Sequence, residues 1–154
     1  MADTPHIMIV ESRYYEEIAE ELITSVLREL EKHGATYERF EVPGAFEIPT
    51  AIKFAIKSGE LGSIQQNFDG FIALGCVIRG QTSHYDYVCG ESARGLQDLA
   101  LKHSLALGYG ILTVENQEQA LARARRSEQD RGGHAARACL RMLELKSHFK
   151  LYSQ

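Results

Sequence analysis

Apolar positions along the chain follow two periods that alternate four times. His6–Glu11 (HIMIVE) is a short apolar run of the kind a buried strand shows. Ser12 stands where it can cap the helix that follows, in which Ile18, Leu22, Ile23, Val26, Leu27 and Leu30 recur at helical spacing. Gly34, just after His33, suits the stop of that helix. Thr36–Val42 alternates like a strand, Pro43-Gly44 turns the chain, and a second helix is predicted from about Glu47 to Ser58. The polar connector Gly59–Asp69 is too short for a domain linker. It leads into the strand Gly70–Ile78 and then a helix from about Ser83 to Leu107. Tyr109–Glu115 reads as a fourth strand, and Asn116 with Gln119 three residues on resembles a capping box opening the next helix. Arg125–Gly133 is a polar, charged break ending in two glycines, before a final helix over about His134–His148.

Strand and helix in strict alternation predict a parallel sheet covered on both faces. The expected fold is α/β: a flavodoxin-like, doubly wound, four-stranded parallel sheet in a three-layer αβα sandwich, with one extra C-terminal helix and a single domain over residues 1–154. In such a sheet the ligand site forms beyond the carboxyl ends of the strands. That directs attention to the loops Glu11–Tyr15, Pro43–Ile48, Arg79–His84 and Glu115–Gln117.

Composition narrows the classes. A chain of 154 residues that is 44% hydrophobic can bury a sizeable core without staples. A net charge of −4 argues against general nucleic-acid binding. Cys76, Cys89 and Cys139 are odd in number and form no CxxC, so buried free thiols in a reducing cytoplasm are expected. No apolar run approaches the roughly 20 residues of a membrane span, and residues 1–6 carry no signal-peptide pattern. Arg123, Arg125, Arg126, Arg131, Arg137 and Arg141 make the last third locally basic. Glu128 and Asp130 interrupt the run, which reads as a solvated or intersubunit face. No set of His, Cys, Asp and Glu has metal-ligand spacing, and there is no GxGxxG, P-loop or GxSxG.

The run Gly75–Val88 holds the most chemistry. Gly80 lets the chain turn, and amides near Gln81 and Thr82 fall where a helix begins, which is the making of a phosphate or carboxylate cradle. The same features are explained if Thr82 and Ser83 only cap their own helix. His84 would lie in the first helical turn, where the dipole disfavours positive charge and suits an imidazole that accepts a proton. A packing or surface histidine is the plainer account. Glu47 stands either as a helix-start carboxylate or as a ligand contact, and Tyr14 and Phe46 either as core or as stacking surfaces.

Four segments taken together resemble the lumazine synthase family, in order and spacing over nearly the whole chain. They are VPGAFEIP (Val42–Pro49), LGCVIRGQTSHYDYV (Leu74–Val88), GILTVENQEQALAR (Gly110–Arg123) and RGGHAARACL (Arg131–Leu140). The resemblance implies a transferase that condenses 5-amino-6-(ribitylamino)uracil with 3,4-dihydroxy-2-butanone 4-phosphate, the penultimate step of riboflavin biosynthesis, with no metal and no cofactor. It implies His84 as the general acid–base, and Gln81, Thr82 and Arg123 as the ligands of the butanone phosphate. Ala45, Phe46 and Glu47 match the segment against the ribityl chain, Cys76, Val77 and Ile78 the strand end against the pyrimidine, and Tyr14 the aromatic stacked on the heterocycle. Tyr109 matches an aromatic given by a neighbouring subunit, so the site is expected at an interface of a homopentamer.

Two positions depart from the family pattern. His134 stands where an acidic residue is usual, and a second imidazole cannot stabilise a charged His84 as a carboxylate would. Arg131 stands where lysine is more usual, which keeps the charge. The short segment before the first strand, and the lack of a Gly-rich kink in Arg125–Arg131, favour a pentamer or a dimer of pentamers over a 60-subunit shell. Two competing readings remain. One is a flavodoxin-like module that holds a flavin or lumazine without turnover. The other is a receiver domain, for which Glu11 and Glu115 are the only acidic candidates at strand ends.

Overall fold

The computed structural model describes residues 4–64 and 66–151. Four strands form one all-parallel sheet: β1 (His6–Ser12), β2 (Thr36–Val42), β3 (Gly70–Ile78) and β4 (Ala106–Val114), in the spatial order β2-β1-β3-β4. Five helices connect and cover them: α1 (Glu16–Lys32), α2 (Ile48–Glu60), α3 (His84–His103), α4 (Gln117–Ala124) and α5 (Arg131–His148). A single 3-10 turn, Ala45–Glu47, precedes α2.

Both faces of β1 and β3 are buried, so these strands read as near-continuous apolar runs, whereas the edge strand β2 is largely exposed and alternates. Side chains alternate between the faces along each strand. Ile7 and Ile9 of β1, with Ile72 and Leu74 of β3, pack under α1 (Ile18, Leu22, Val26) and α5 (Ala135, Ala136, Cys139). Met8, Val10, Phe71 and Ala73 face the other way, onto Ile48 and Ile52 of α2 and Val88 and Leu96 of α3. The extra C-terminal helix therefore adds a layer to the α1 face.

Most predicted elements are where the pattern put them, and the exceptions have local causes. Ser12 does not cap α1. It is the last residue of β1, in register with Val42, and α1 starts four residues later from Tyr15 with no side-chain cap. The helix before β4 stops at His103 rather than Leu107. Ser104 takes a left-handed conformation (φ 54°) and the Leu105 amide donates back to the Ala100 carbonyl at 3.0 Å. That stop lets β4 begin at Ala106, paired with Gly70, three residues before the predicted Tyr109. Asn116 caps α4, accepting from the Gln119 amide at 2.9 Å, while the Gln119 side chain accepts from the Glu115 amide at 2.8 Å.

The two glycines read as a break lie inside α5. Asp130, itself left-handed (φ 48°), caps the helix by accepting from the Gly133 amide at 3.3 Å. A Cβ on Gly132 would run into the Leu22 carbonyl of α1, and one on Gly108 into the Ala135 carbonyl of α5. These glycines set how closely α5 seats. Glycine here signals contact rather than interruption.

Cys139 is fully buried, its Sγ 3.5 Å from the Ala106 carbonyl oxygen, whereas Cys76 and Cys89 are only half-buried; all three thiols are free. Burial pushes the Cys76 and Cys139 thiols up to about 12. No helix among the described residues is long and apolar enough to cross a membrane. Three arginines of the basic C-terminal run are paired, Arg125 with Glu128 (3.3 Å) and Arg141 with Glu144 (3.1 Å) locally and Arg137 with Glu29 of α1 (3.1 Å).

Candidate active site

Beyond the carboxyl ends of β1 and β3 lies a cleft of about 520 Å³, walled by the loops that follow β1 and β2, the last residues of β3 and the first turns of α3. The first wall is organised by a buried carboxylate. Glu11, 3% exposed, accepts from Arg13 Nη1 and from Arg39 Nε of the edge strand β2, both at 2.8 Å. Arg13 also reaches Glu16 (3.1 Å) and Glu20 (3.3 Å), and Glu11 above all, with these two carboxylates, holds its guanidinium above its ordinary range. The Arg13 side chain is thus folded back onto the sheet and α1. Tyr14 is left projecting, 77% exposed, with its ring edge-on to Tyr15 at 4.9 Å.

The second wall turns within one 3-10 step. Ala45 and Ile48 are buried and anchor the turn, Pro49 lies in the first turn of α2, and Phe46 points outward at 54% exposure. The Glu47 carboxylate folds back over Gly44, where an added Cβ would lie 3.2 Å from Oε1. On β3 the burial ends with the sheet: Gly70–Gly75 are buried, Cys76–Ile78 only partly, and these last three face the cleft.

The third wall is the turn into α3. Its residues Gln81, Thr82, Ser83 and His84 are exposed. Ser83 precedes the helix without a side-chain cap, so the simple capping account holds only for Thr82, whose Oγ1 accepts from the His84 amide at 3.3 Å. Among the described residues no partner takes the amides of Gln81, Thr82 or Ser83. Arg79 braces the turn from outside. Its Nε donates to both Glu115 oxygens (3.1 and 2.9 Å), its Nη1 lies 3.5 Å from Asp86, and its guanidinium covers the Tyr85 ring at 4.2 Å.

The structure therefore brings together Tyr14, Ala45, Phe46, Glu47, Cys76, Val77, Ile78 and His84 around one cleft, with Gln81 and Thr82 on the adjoining turn. Four other residues singled out in the sequence do not line it. Tyr109 lies on β4, 42% exposed, and burial beside Cys89 and Tyr85 raises its phenol above the ordinary value. Arg123 lies on α4 and donates to the Gln119 carbonyl of its own helix at 3.1 Å. Arg131 and His134 are exposed in the first turn of α5. Sequence reasoning missed Tyr87, which lines the cleft one helical turn beyond His84 at 69% exposure; the i, i+3 spacing was the available signal.

Chemically the cleft offers aromatic faces (Tyr14, Phe46), an apolar strand end, a carboxylate and an imidazole. Free amides stand beside it at a helix start, a setting for an anion. Among the described residues no cluster of three or more His, Cys, Asp or Glu could hold a metal.

Comparison with known proteins points in one direction. A family model described as 6,7-dimethyl-8-ribityllumazine synthase matches residues 4–147. The chain is 56% identical over 141 residues to 6,7-dimethyl-8-ribityllumazine synthase 1 of Rhizobium meliloti, covering 92% of this chain and 91% of that protein. It is 54% identical over 142 residues to the synthase of Agrobacterium fabrum (92% and 95% covered). With that of Bartonella henselae it shares 49% identity over 144 residues (94% and 90% covered).

Proposed function

Because the chain belongs to the 6,7-dimethyl-8-ribityllumazine synthase family, we propose that it joins 5-amino-6-(ribitylamino)uracil to 3,4-dihydroxy-2-butanone 4-phosphate, releasing phosphate and water. This is the penultimate step of riboflavin biosynthesis, run by a cytoplasmic enzyme. The observation that carries the reading is the convergence on one cleft of Tyr14, Ala45–Glu47 and Cys76–Ile78 with His84.

The pyrimidine lies against Cys76–Ile78 and under Tyr14, with its ribityl hydroxyls toward Ala45–Glu47. The butanone phosphate takes the free amides at Gln81 and Thr82, and Arg123 pairs with it. The uracil amine attacks the ketone, and loss of water gives an imine. Phosphate elimination, tautomerisation and ring closure with loss of a second water follow, with His84 moving protons at each stage. No protein nucleophile is called for. Holding two reactants in place can supply roughly 7–11 kcal/mol of the barrier, and proton shuttling a factor of about 10²–10⁴.

Tyr109, Arg123, Arg131 and His134 stand outside the cleft of their own chain, which supports a site completed by a second copy. The assembly is a homopentamer or a pair of pentamers. Arg131 adds positive charge near the phosphate, and His134 takes the place of the usual acid opposite His84. The test is to incubate the protein with both substrates and follow phosphate release together with lumazine absorbance. Saturable ligand binding without phosphate release identifies a binding module and defeats the reading.

A further inference from the structure

Arg79 lies at the end of β3, where the cleft-lining residues stop, and its side chain turns away from the cleft. It nevertheless makes more directed contacts than any other residue of the turn. Its own amide donates to the Val114 carbonyl at 2.9 Å, which extends the β3–β4 pairing by one residue. Its Nε forks onto both oxygens of Glu115, its Nη1 meets Asp86 in the first turn of α3, and its guanidinium plane covers Tyr85, the residue after His84. Glu115 is itself held, since its amide donates to Gln119 at the start of α4. One side chain thus joins the strand end, the beginning of α3 and the β4–α4 turn.

The four residues between those anchors, Gly80, Gln81, Thr82 and Ser83, have little else to fix them. They are exposed, their only side-chain bond among the described residues is from the His84 amide to Thr82, and glycine opens the stretch. A turn that presents amides to an anion works only if those amides hold still, because a displacement of about 1 Å can cost roughly 100-fold in rate. We propose that Arg79 is a positioning residue: through Glu115, Asp86 and Tyr85 it sets the Gln81–Thr82 amides for the phosphate and the His84 imidazole for proton transfer, without touching either substrate. The inference rests on the synthase reading for its kinetic part only; its structural part stands apart from that reading.

The chemistry of the clamp is specific to arginine. A planar fork over an aromatic ring, with Nε facing one carboxylate and Nη1 another, is geometry a lysine ammonium cannot reproduce. The test uses Arg79→Ala, Arg79→Lys and Glu115→Gln in the full chain, with thermal unfolding as the check on folding. Amide hydrogen exchange at the bonded amides of the turn, those of His84, Asp86 and Tyr87, is expected to accelerate about tenfold or more in all three variants. In turnover, the KM for the phosphorylated butanone should rise about tenfold and kcat fall. The KM for the ribitylaminouracil should stay within about twofold, since its walls are elsewhere.

Unchanged exchange in Arg79→Ala overturns the proposal. So does a Glu115→Gln enzyme that keeps a normal KM while Arg79→Ala loses it, because Arg79 would then be meeting the phosphate itself. Accelerated exchange in a protein that turns over neither substrate would leave the clamp standing and remove the synthase reading. Unchanged exchange beside normal wild-type turnover would do the reverse.

Discussion

Glu11 and His84 show how differently two ionisable residues can serve one cleft. Glu11 is sealed beneath two guanidiniums and meets nothing in the cleft, yet it sets the exit angle of the Tyr14 loop. Replacing it with alanine leaves Arg13 and Arg39 facing each other without their shared partner. Arg13 keeps Glu16 and Glu20 and Arg39 is partly exposed, so the loss of the charged hydrogen bonds should cost about 2 kcal/mol, measurable as a lowered urea midpoint, and the loosened loop should weaken pyrimidine binding. His84 is exposed on its turn, and its replacement should spare stability. We expect His84→Ala to lower kcat by no more than about 10²–10⁴, leaving the contribution of proximity in place; complete loss of turnover would assign it a larger part. The thiols offer a test by pH. In the unfolded chain Cys139 ionises near its ordinary value of 9.0, whereas in the fold burial holds it to about 12. The folded state therefore keeps a proton that the unfolded state gives up, and the stability tied to that proton is full below pH 9 and lost as pH rises toward 12. Urea midpoints at about pH 8 and about pH 10 should diverge, and Cys139→Ala should narrow the gap.

At the scale of elements, hydrophobic period made the architecture legible: β2 and β3 have the boundaries expected of them, and all four strands are parallel. What the pattern did not reveal was backbone conformation at single polar residues. Ser104 and Asp130 both adopt left-handed φ, and each moves a boundary by about one turn. Neither is the glycine that usually marks such a place, whereas Gly34, left-handed at φ 71°, stops α1 as anticipated. A cap residue and a strand-ending serine have the same local signature, and what assigns Ser12 to β1 is its pairing with Val42, which is non-local information. The cleft residues are legible through loop position and family resemblance, whereas Tyr87 is legible only through its i, i+3 spacing from His84. The glycine pair in α5 reads as a break for a related reason, since close contact leaves no trace in periodicity. Gly108→Ala puts a methyl group against the Ala135 carbonyl and should destabilise by about 3 kcal/mol, while Gly80→Ala, with open space around it, should cost far less in the same unfolding assay.

For the whole molecule, the important division is between the residues of the cleft and those on the far elements. His84 belongs to the first group, and Arg123 lies on α4 outside it. Arg123→Ala should mainly damage use of the phosphorylated substrate, and kinetics that leave its kcat/KM unchanged would remove Arg123 from the site. If neighbouring copies share each site, mixing denatured His84→Ala and Arg123→Ala chains and refolding them together should restore activity. Random mixing around a ring gives about a quarter of the interfaces both intact residues. Sites contained within one chain would gain nothing from mixing. The mass by light scattering should be that of a pentamer or a decamer, and a particle near 60 subunits would contradict this.

The seating of α5 on bare backbone has a consequence for how such a chain can change over generations. Loops at the cleft end in side chains that can be exchanged one at a time, each substitution being judged by catalysis alone. Gly108 and Gly132 face carbonyl oxygens that cannot step aside, since a backbone moves only with its whole helix. Descendants are therefore free to alter what the cleft recognises well before they can alter where the last helix lies. Across relatives, we expect these two positions to remain glycine where even residues of the cleft have diverged.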